Sequence, residues 1–332
     1  MFCCVRMRYS RWIWSVGGWL ALLLIAVGCN VESTDSESEV VVESYLIAND
    51  TLPQVRLMQS VAATDRFDPE DAAVRNADVV VRKLDGEENA AMAYPYEEDT
   101  PGVYRPVDND VVVQPGARYA LEVDTETGER VEAETLVPDL INVQEVENTE
   151  VPYQGPDQPS FVISESQETE RPRAYAFAVT SQLDFDALSD EELIAELTPF
   201  YADSFDEDDD RIGDLQRVAS PLVNEQSFQF QDDGSILIEV PWIGFAFYGD
   251  NNVAIVAPDE SYYDLIRTQD VQQGGLSPGE IPNVIDRVEG GTGIFGSLSR
   301  ASAIVTIERP EGIPSSTPVS QAAPTKTSLD HR

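Results

Sequence analysis

Histidine is almost missing from this chain, thiols are rare, and so are lysines. The only histidine, His331, is the penultimate of 332 residues. The cysteines are Cys3, Cys4 and Cys29, and the lysines are Lys83 and Lys326. Each scarcity removes a class of chemistry. Ser-His-Asp and Cys-His nucleophiles need an imidazole inside the folded body, where none is available. Zinc sites of the usual kinds draw on His or Cys. Nucleic-acid binding needs a positive surface. This chain has 61 acidic against 21 basic residues and a formal net charge of −40, so nucleic acid is not an expected partner. No cofactor is expected either.

What is present begins with a secretory leader. Arg6, Arg8 and Arg11 precede an uncharged, mostly apolar run from Trp12 to Val27, and Gly28-Cys29 follows. A positive end, a short apolar core and a small residue at the cut define an export signal. Met7 to Cys29 is already a complete one. The cysteine directly after that small residue marks a lipoprotein signal, although Ala26 stands where leucine is usual. The apolar run is shorter than the about 20 residues of a spanning helix. Residues 1–28 are therefore expected to be removed, and Cys29 to carry acyl chains. Each buried CH₂ contributes about 0.8 kcal/mol, so two or three chains anchor firmly in a bilayer. Cys3 and Cys4 leave with the leader and lipid consumes Cys29. The mature body then has no disulfide and no thiolate site, and a chain of this size folds without them. The expected location is an outer membrane, with the periplasmic or cell-surface face left open.

The acidity has a physical reading of its own. Loss of the leader removes three arginines and no acid, taking −40 to −43. Strong charge favours disorder in chains poor in apolar residues, but 42% of this chain is hydrophobic, an ordinary fraction for a folded protein. In molar salt the Debye length falls to about 3 Å and self-repulsion fades. An acid-rich, lysine-poor surface suits a halophilic setting.

Along the chain, residues 29–39 form an acidic tether without apolar period. From 40 to 138 come short β-branched runs: Val40–Ile47, Val55–Met58, Ala77–Leu84, Gly102–Tyr104, Tyr119–Val123 and Val131–Val137. Turn signals separate them at Asp85-Gly86, Pro115-Gly116 and Thr127-Gly128. This spacing predicts an immunoglobulin-like or transthyretin-like β-sandwich. Residues 139–308 read as a second β-rich domain. Its strands are expected at Ile141–Val146, Ser160–Ile163, Arg173–Thr180, Phe228–Phe230, Ile236–Val240, Val253–Ala257 and Ala303–Ile307. A capping box at Ser189 and Glu192, followed by Leu193, Ile194 and Leu197, predicts one helix, and Tyr262 to Arg267 suggests a second. Residues 309–332 are Pro-, Ser- and Thr-rich and read as a disordered tail.

Four features together resemble a known family: the lipoprotein start; Val40-Val41-Val42-Glu43; Asn76–Val81 with Gly102-Val103-Tyr104 and Pro115–Leu121; and the late run Pro282–Gly296. Their order is similar to the Bacteroidota lipoproteins grouped as domain of unknown function 4249. The likeness spans nearly the whole mature chain. It implies an outer-membrane lipoprotein working beside a TonB-dependent receptor. It supplies no catalytic residue.

Three segments are candidate sites. Asn283–Gly296 carries Gly290, Gly291, Gly293 and Gly296, which permit close backbone approach. It is either a loop presenting Phe295 to a partner or a tight turn packing Ile294 and Phe295. It lacks the Lys-Ser/Thr ending of a phosphate loop. The aromatic run Pro241–Tyr248, with Trp242, Phe245, Phe247 and Tyr248, would stack a sugar or peptide if exposed, and otherwise packs a core. Asp206, Asp208 and Asp210 have the alternate spacing of a calcium loop. However, Arg211 occupies the sixth position that glycine should hold, and the twelfth is not glutamate. A solvated acidic loop is the plainer reading.

These features predict a non-enzymatic accessory lipoprotein that captures a ligand for, or docks on, a TonB-dependent transporter. A carboxylate-dependent carbohydrate hydrolase and a structural or adhesive surface protein are the alternatives. If the acidity is an adaptation to salt, the melting temperature, followed by the single mature tryptophan Trp242, rises between low and molar NaCl. An unchanged or falling value contradicts that reading.

Overall fold

The computed structural model describes residues 38–62, 65–85, 89–165, 173–206, 210–273 and 287–310. The protein is mostly β. One mixed sheet has 14 strands, and a second, antiparallel sheet has four.

The first seven strands share one core. They are β1 (Val40–Ile47), β2 (Val55–Gln59), β3 (Asp78–Asp85), β4 (Asn89–Thr100), β5 (Val103–Pro106), β6 (Arg118–Asp124) and β7 (Arg130–Leu136). Strand β1 shows why. Its side chains alternate between faces, so Val40, Val42, Ser44 and Leu46 are buried while their neighbours are half-buried. They meet Leu57, Val79, Val81, Tyr104, Tyr119, Leu121 and Val123 from the other strands. The turn glycines do what their positions demand: Gly116 and Gly128 sit at φ 69° and 88°.

Strand β4 is not visible in the sequence. Its Ala-Met-Ala start and acidic Glu97-Glu98-Asp99 end have no β period, and Pro95 lies within it. Tyr96 is its inward anchor, donating from its hydroxyl to the Pro53 carbonyl at 3.0 Å. Glu98 works locally. Its carboxylate accepts from the backbone N–H of Asn76 and of Gly102, at 2.9 and 3.1 Å, and so ties down the turn into β5.

The remaining strands are β8 (Val143–Glu147), β9 (Glu150–Pro152), β10 (Ser160–Ser164), β11 (Ala174–Ser181), β12 (Arg217–Ala219), β13 (Val223–Asn224), β14 (Gln229–Phe230), β15 (Ser235–Glu239), β16 (Gly249–Pro258), β17 (Val288–Glu289) and β18 (Thr292–Glu308). The four-stranded sheet runs β14-β15-β10-β8. Its Phe161, Ile163, Ile236 and Ile238 pack with Tyr175, Phe177, Val253 and Ile255 of β11 and β16, forming a second core. Three helices are described: α1 (Asp190–Ile194), α2 (Pro199–Ala202) and α3 (Glu260–Gln273). Helix α1 carries the expected capping box, with Ser189 and Glu192 bonding each other's backbone N–H. Helix α3 is longer than its apolar pattern suggests.

Strand β18 joins the two cores. Its first part pairs in parallel with β1, from Val41 opposite Thr292 to Ile47 opposite Leu298. Its remainder pairs antiparallel with β16, from Pro258 opposite Leu298 to Gly249 opposite Ile307. On one face of this strand Phe295 enters the first core, and Val305 and Ile307 enter the second. Buried Ser297 and Ser299 lie between them. The sequence pattern exposed only the Ala303–Ile307 end, because glycines and serines dilute the β-formers before it.

The glycine run is where this pairing is made. Strand β17 pairs with β7, at Val288 opposite Ala133. After only Gly290 and Gly291 the chain has become β18 on the flank of β1. A Cβ on Gly291 would lie 2.5 Å from the Val40 carbonyl oxygen, and one on Gly293 would lie 2.1 Å from that of Val42. Gly293 also sits at φ 109°. Only a bare Cα permits this approach. Gly293→Ala therefore combines overpacking with a disfavoured φ and should lower unfolding free energy by roughly 3 kcal/mol. Gly213→Ala, where nothing lies within 4 Å of the new carbon, should change it by less than about 0.5 kcal/mol. Urea denaturation of the two variants measures both, and equal effects would contradict the seam.

Candidate functional site

A groove of about 980 Å³ lies between the outer edge of β7 and the start of α3. Alternation along β7 places Val131, Ala133 and Thr135 inward and Glu134 and Leu136 outward. Thr135 stands where valine or alanine would be expected, and a buried hydroxyl needs partners. It finds two. Thr135 Oγ1 donates to Asp259 Oδ2 at 2.6 Å and lies 2.6 Å from Ser297 Oγ.

Asp259 is the centre of this arrangement. It follows Pro258 at the end of β16 and precedes α3, where an N-cap is needed. Its Oδ1 accepts from the Tyr262 N–H at 2.9 Å, and its own N–H donates to the Ser297 carbonyl at 2.8 Å. One buried carboxylate thus ties together β7, β18 and the first turn of α3. Burial pushes its pKa above the usual carboxylate range, against hydrogen bonds that favour the ionised form. Arg287 lies on the same wall, but its guanidinium bonds Asp264 at 2.7 Å and Glu260 at 3.1 Å. Chemically, Asp259 is a helix cap and a clasp, with both oxygens engaged.

The structure places the sequence-predicted residues differently from an exposed recognition surface. Phe245 and Phe247 are fully buried, and Tyr248 nearly so. Phe247 stacks edge-on against Phe185 at 5.4 Å. Thr198 bonds the carbonyls of Phe245 and Ala246 with its hydroxyl and its N–H. Tyr248 lies beneath the Arg309 guanidinium, 4.4 Å from its ring centre. The aromatic run therefore packs the interior, and the expectation that these three rings contact a ligand is corrected. The reason is their burial, Phe247 among the helix side chains Leu193 and Leu197, and Phe245 and Tyr248 in the second core. Trp242 is half-buried against Tyr153, at 5.5 Å. Beside it Ile243 is exposed, and its carbonyl accepts from the Tyr201 hydroxyl at 2.8 Å.

Phe295 is corrected in the same way. It is buried in the first core and presents nothing to a partner. Gly290 and Gly291 serve the strand seam: a Cβ on Gly290 would lie 2.1 Å from the Arg130 carbonyl oxygen. Of the carboxylates proposed for calcium, Asp208 lies outside the described residues. Asp210 turns back on its own loop, accepting from the Asp206 N–H at 3.0 Å. Among the described residues no group of three or more His, Cys, Asp or Glu is placed to hold a metal ion. Cys29 lies outside the described residues. The Thr135–Asp259–Ser297 clasp was missed. Its one sequence signal was an aspartate after proline at the start of a helical pattern, with a threonine at an inward strand position far away.

A family model described as Domain of unknown function (DUF4249) matches residues 29–304. No curated protein matches the chain. Among solved structures, similar chains include a tetra-tandem repeat in the extending region of a large adhesion protein, at 12% identity and TM-score 0.20. That match covers 82% of this chain, which spans half the length of the other. The three N-terminal domains of the bacteriophage RB49 Highly Immunogenic Outer Capsid protein match at 10% identity and TM-score 0.22, covering 83% of this chain and 71% of theirs. The chicken CNTN1 FN1–FN3 domains match at 10% identity and TM-score 0.22, covering 81% and 69%. Superpositions this loose establish no shared fold.

The Asp259 arrangement has a testable sign. A folded pKa above the unfolded value of about 3.9 adds stability below that value and loses it as pH rises through the folded value. Asp259→Asn keeps the cap and has no carboxylate to ionise. The stability of the wild type relative to this variant should therefore fall as pH rises above about 4, as measured by chemical denaturation. Asp259→Ala should cost about 2–4 kcal/mol, from the lost cap and stranded hydroxyls. A wild-type advantage over the Asn variant that grows with pH would overturn the assignment.

Proposed function

On the premise that the chain belongs to the DUF4249 family, whose model matches residues 29–304, we propose that it is a lipid-anchored cell-envelope protein. In this reading it is exported, cut before Cys29, tethered to an outer membrane by acyl chains, and serves a TonB-dependent transporter as a non-enzymatic ligand-capture or docking partner. The observation that carries the reading is the coincidence at Cys29. The family match begins at the same residue where a charged, then apolar leader ends in Gly28-Cys29.

The body supports a scaffold role. Its glycine run and most of its central aromatic run are committed to packing. The buried acid of the groove beside β7 is committed to a helix cap, whereas a carboxylate hydrolase needs an acid free to transfer a proton. Trp242 with Ile243 is the part of the aromatic run left at the surface for a partner. We also read the excess of acids, and the use of arginine in the ion pairs that hold the surface, as adaptation to concentrated salt.

The test has two readings. Mass spectrometry of the membrane-extracted protein should find an acylated N-terminal Cys29, and an affinity pull-down of that form should co-purify an outer-membrane barrel. An unmodified residue 29 defeats the anchor. Repeated purification of the acylated protein without a barrel defeats the transporter role alone.

A further inference from the structure

We propose that β1 and β18 form a mechanical clamp that carries tension between the N-terminal tether and the second core. Strand β1 is the first strand after the tether. Strand β18 is the last described strand, and the two run parallel over a seven-residue register. The Ala48 N–H extends that ladder, donating to the Leu298 carbonyl at 2.9 Å. Because the strands are parallel, the start of β1 and the end of β18 lie at opposite ends of the shared ladder.

The geometry of loading follows. Tension between the N- and C-termini draws β1 and β18 in opposite directions along their common axis. All rungs are then stretched together, and none can yield first. Tension applied to both strands at the same end instead opens the ladder rung by rung. The bonds are the same, but the barrier to rupture differs, and forced unfolding follows that barrier.

The path beyond the clamp is continuous. Strand β18 passes from the β1 ladder into the β16 ladder within one unbroken strand, both at Leu298. Strand β9 then pairs in parallel with its last residues, from Thr306 to Glu308. The buried Thr135–Asp259–Ser297 clasp holds β18 sideways at the point where the partner strand changes. No loop intervenes to extend under load. For a body pulled away from a membrane-held N-terminus, this is the arrangement that stays folded. The source of the tension rests on the Cys29 anchor proposed above. The clamp does not, so mass spectrometry can reject the anchor while the clamp stands.

Optical tweezers test the clamp on the chain from residue 29 to 332 with Cys29→Ser. In one arrangement, peptide-tag handles hold the N-terminus and the C-terminus. In the other, the second handle is a thiol at Glu289→Cys, an exposed site just before β18. At equal loading rate the first arrangement should rupture at about twice the force of the second, and its lifetime at constant load should be more than about tenfold longer. Ala48→Pro, which deletes one rung, should lower the force in the first arrangement and leave the second unchanged. Equal or lower force in the first arrangement overturns the proposal. So does an Ala48→Pro variant that folds and resists tension as well as its parent.

Discussion

The structure depends on one close approach: the backbone of Gly291 and Gly293 lying against that of Val40 and Val42. Because the side chains of those two residues are hydrogen atoms, β17 can leave β7 and become β18 on the flank of β1 within a few residues. The first core is closed by that step, since Val288 and Phe295 both enter it. The second core depends on the same step, because the strand that closes the first continues as a central strand of the second. Two β units that look sequential in the chain are thereby interlocked, with the last described strand completing the first unit more than 200 residues after it began.

A polar clasp supports this junction where apolar packing changes from one core to the other. Along the shared face of β18, large side chains give way to Ser297 and Ser299, and Thr135 and Asp259 close over the first of these. A buried hydroxyl chain ending on a carboxylate contributes little net stability, because each group gives up water to make its bonds. What it adds is position: β7, β18 and α3 meet in one register, since any other leaves a buried polar group without a partner.

Much of the architecture was legible in the sequence, for identifiable reasons. Strands with mostly apolar inward residues at every second place announce themselves, such as β1 (Val40, Val42, Leu46), β3 (Val79, Val81) and β6 (Tyr119, Leu121, Val123). So does α1, whose cap is written in Ser189 and Glu192. Strand β4 was hidden because its acidic end is used for turn capping, and the first half of β18 because glycine and serine serve its close pairing. The aromatic run and Phe295 were identified as special but could not be assigned to core or surface. Large apolar side chains signal burial and recognition alike, and tertiary context decides. Asp259 and Thr135 were lost among many acids and threonines, since their meaning arises only across a sequence separation of 124.

The interlock matters more than either core taken alone, because local opening at β1 would release both. The direct measurement is native-state hydrogen exchange across increasing denaturant, following amides of Val41–Ile47 in β1 and Val253–Ala257 in β16. The account predicts that the two groups merge onto one unfolding isotherm, as parts of a single cooperative unit. Separate isotherms, with β1 opening while β16 stays protected, would contradict the claim that β18 binds the two cores into one.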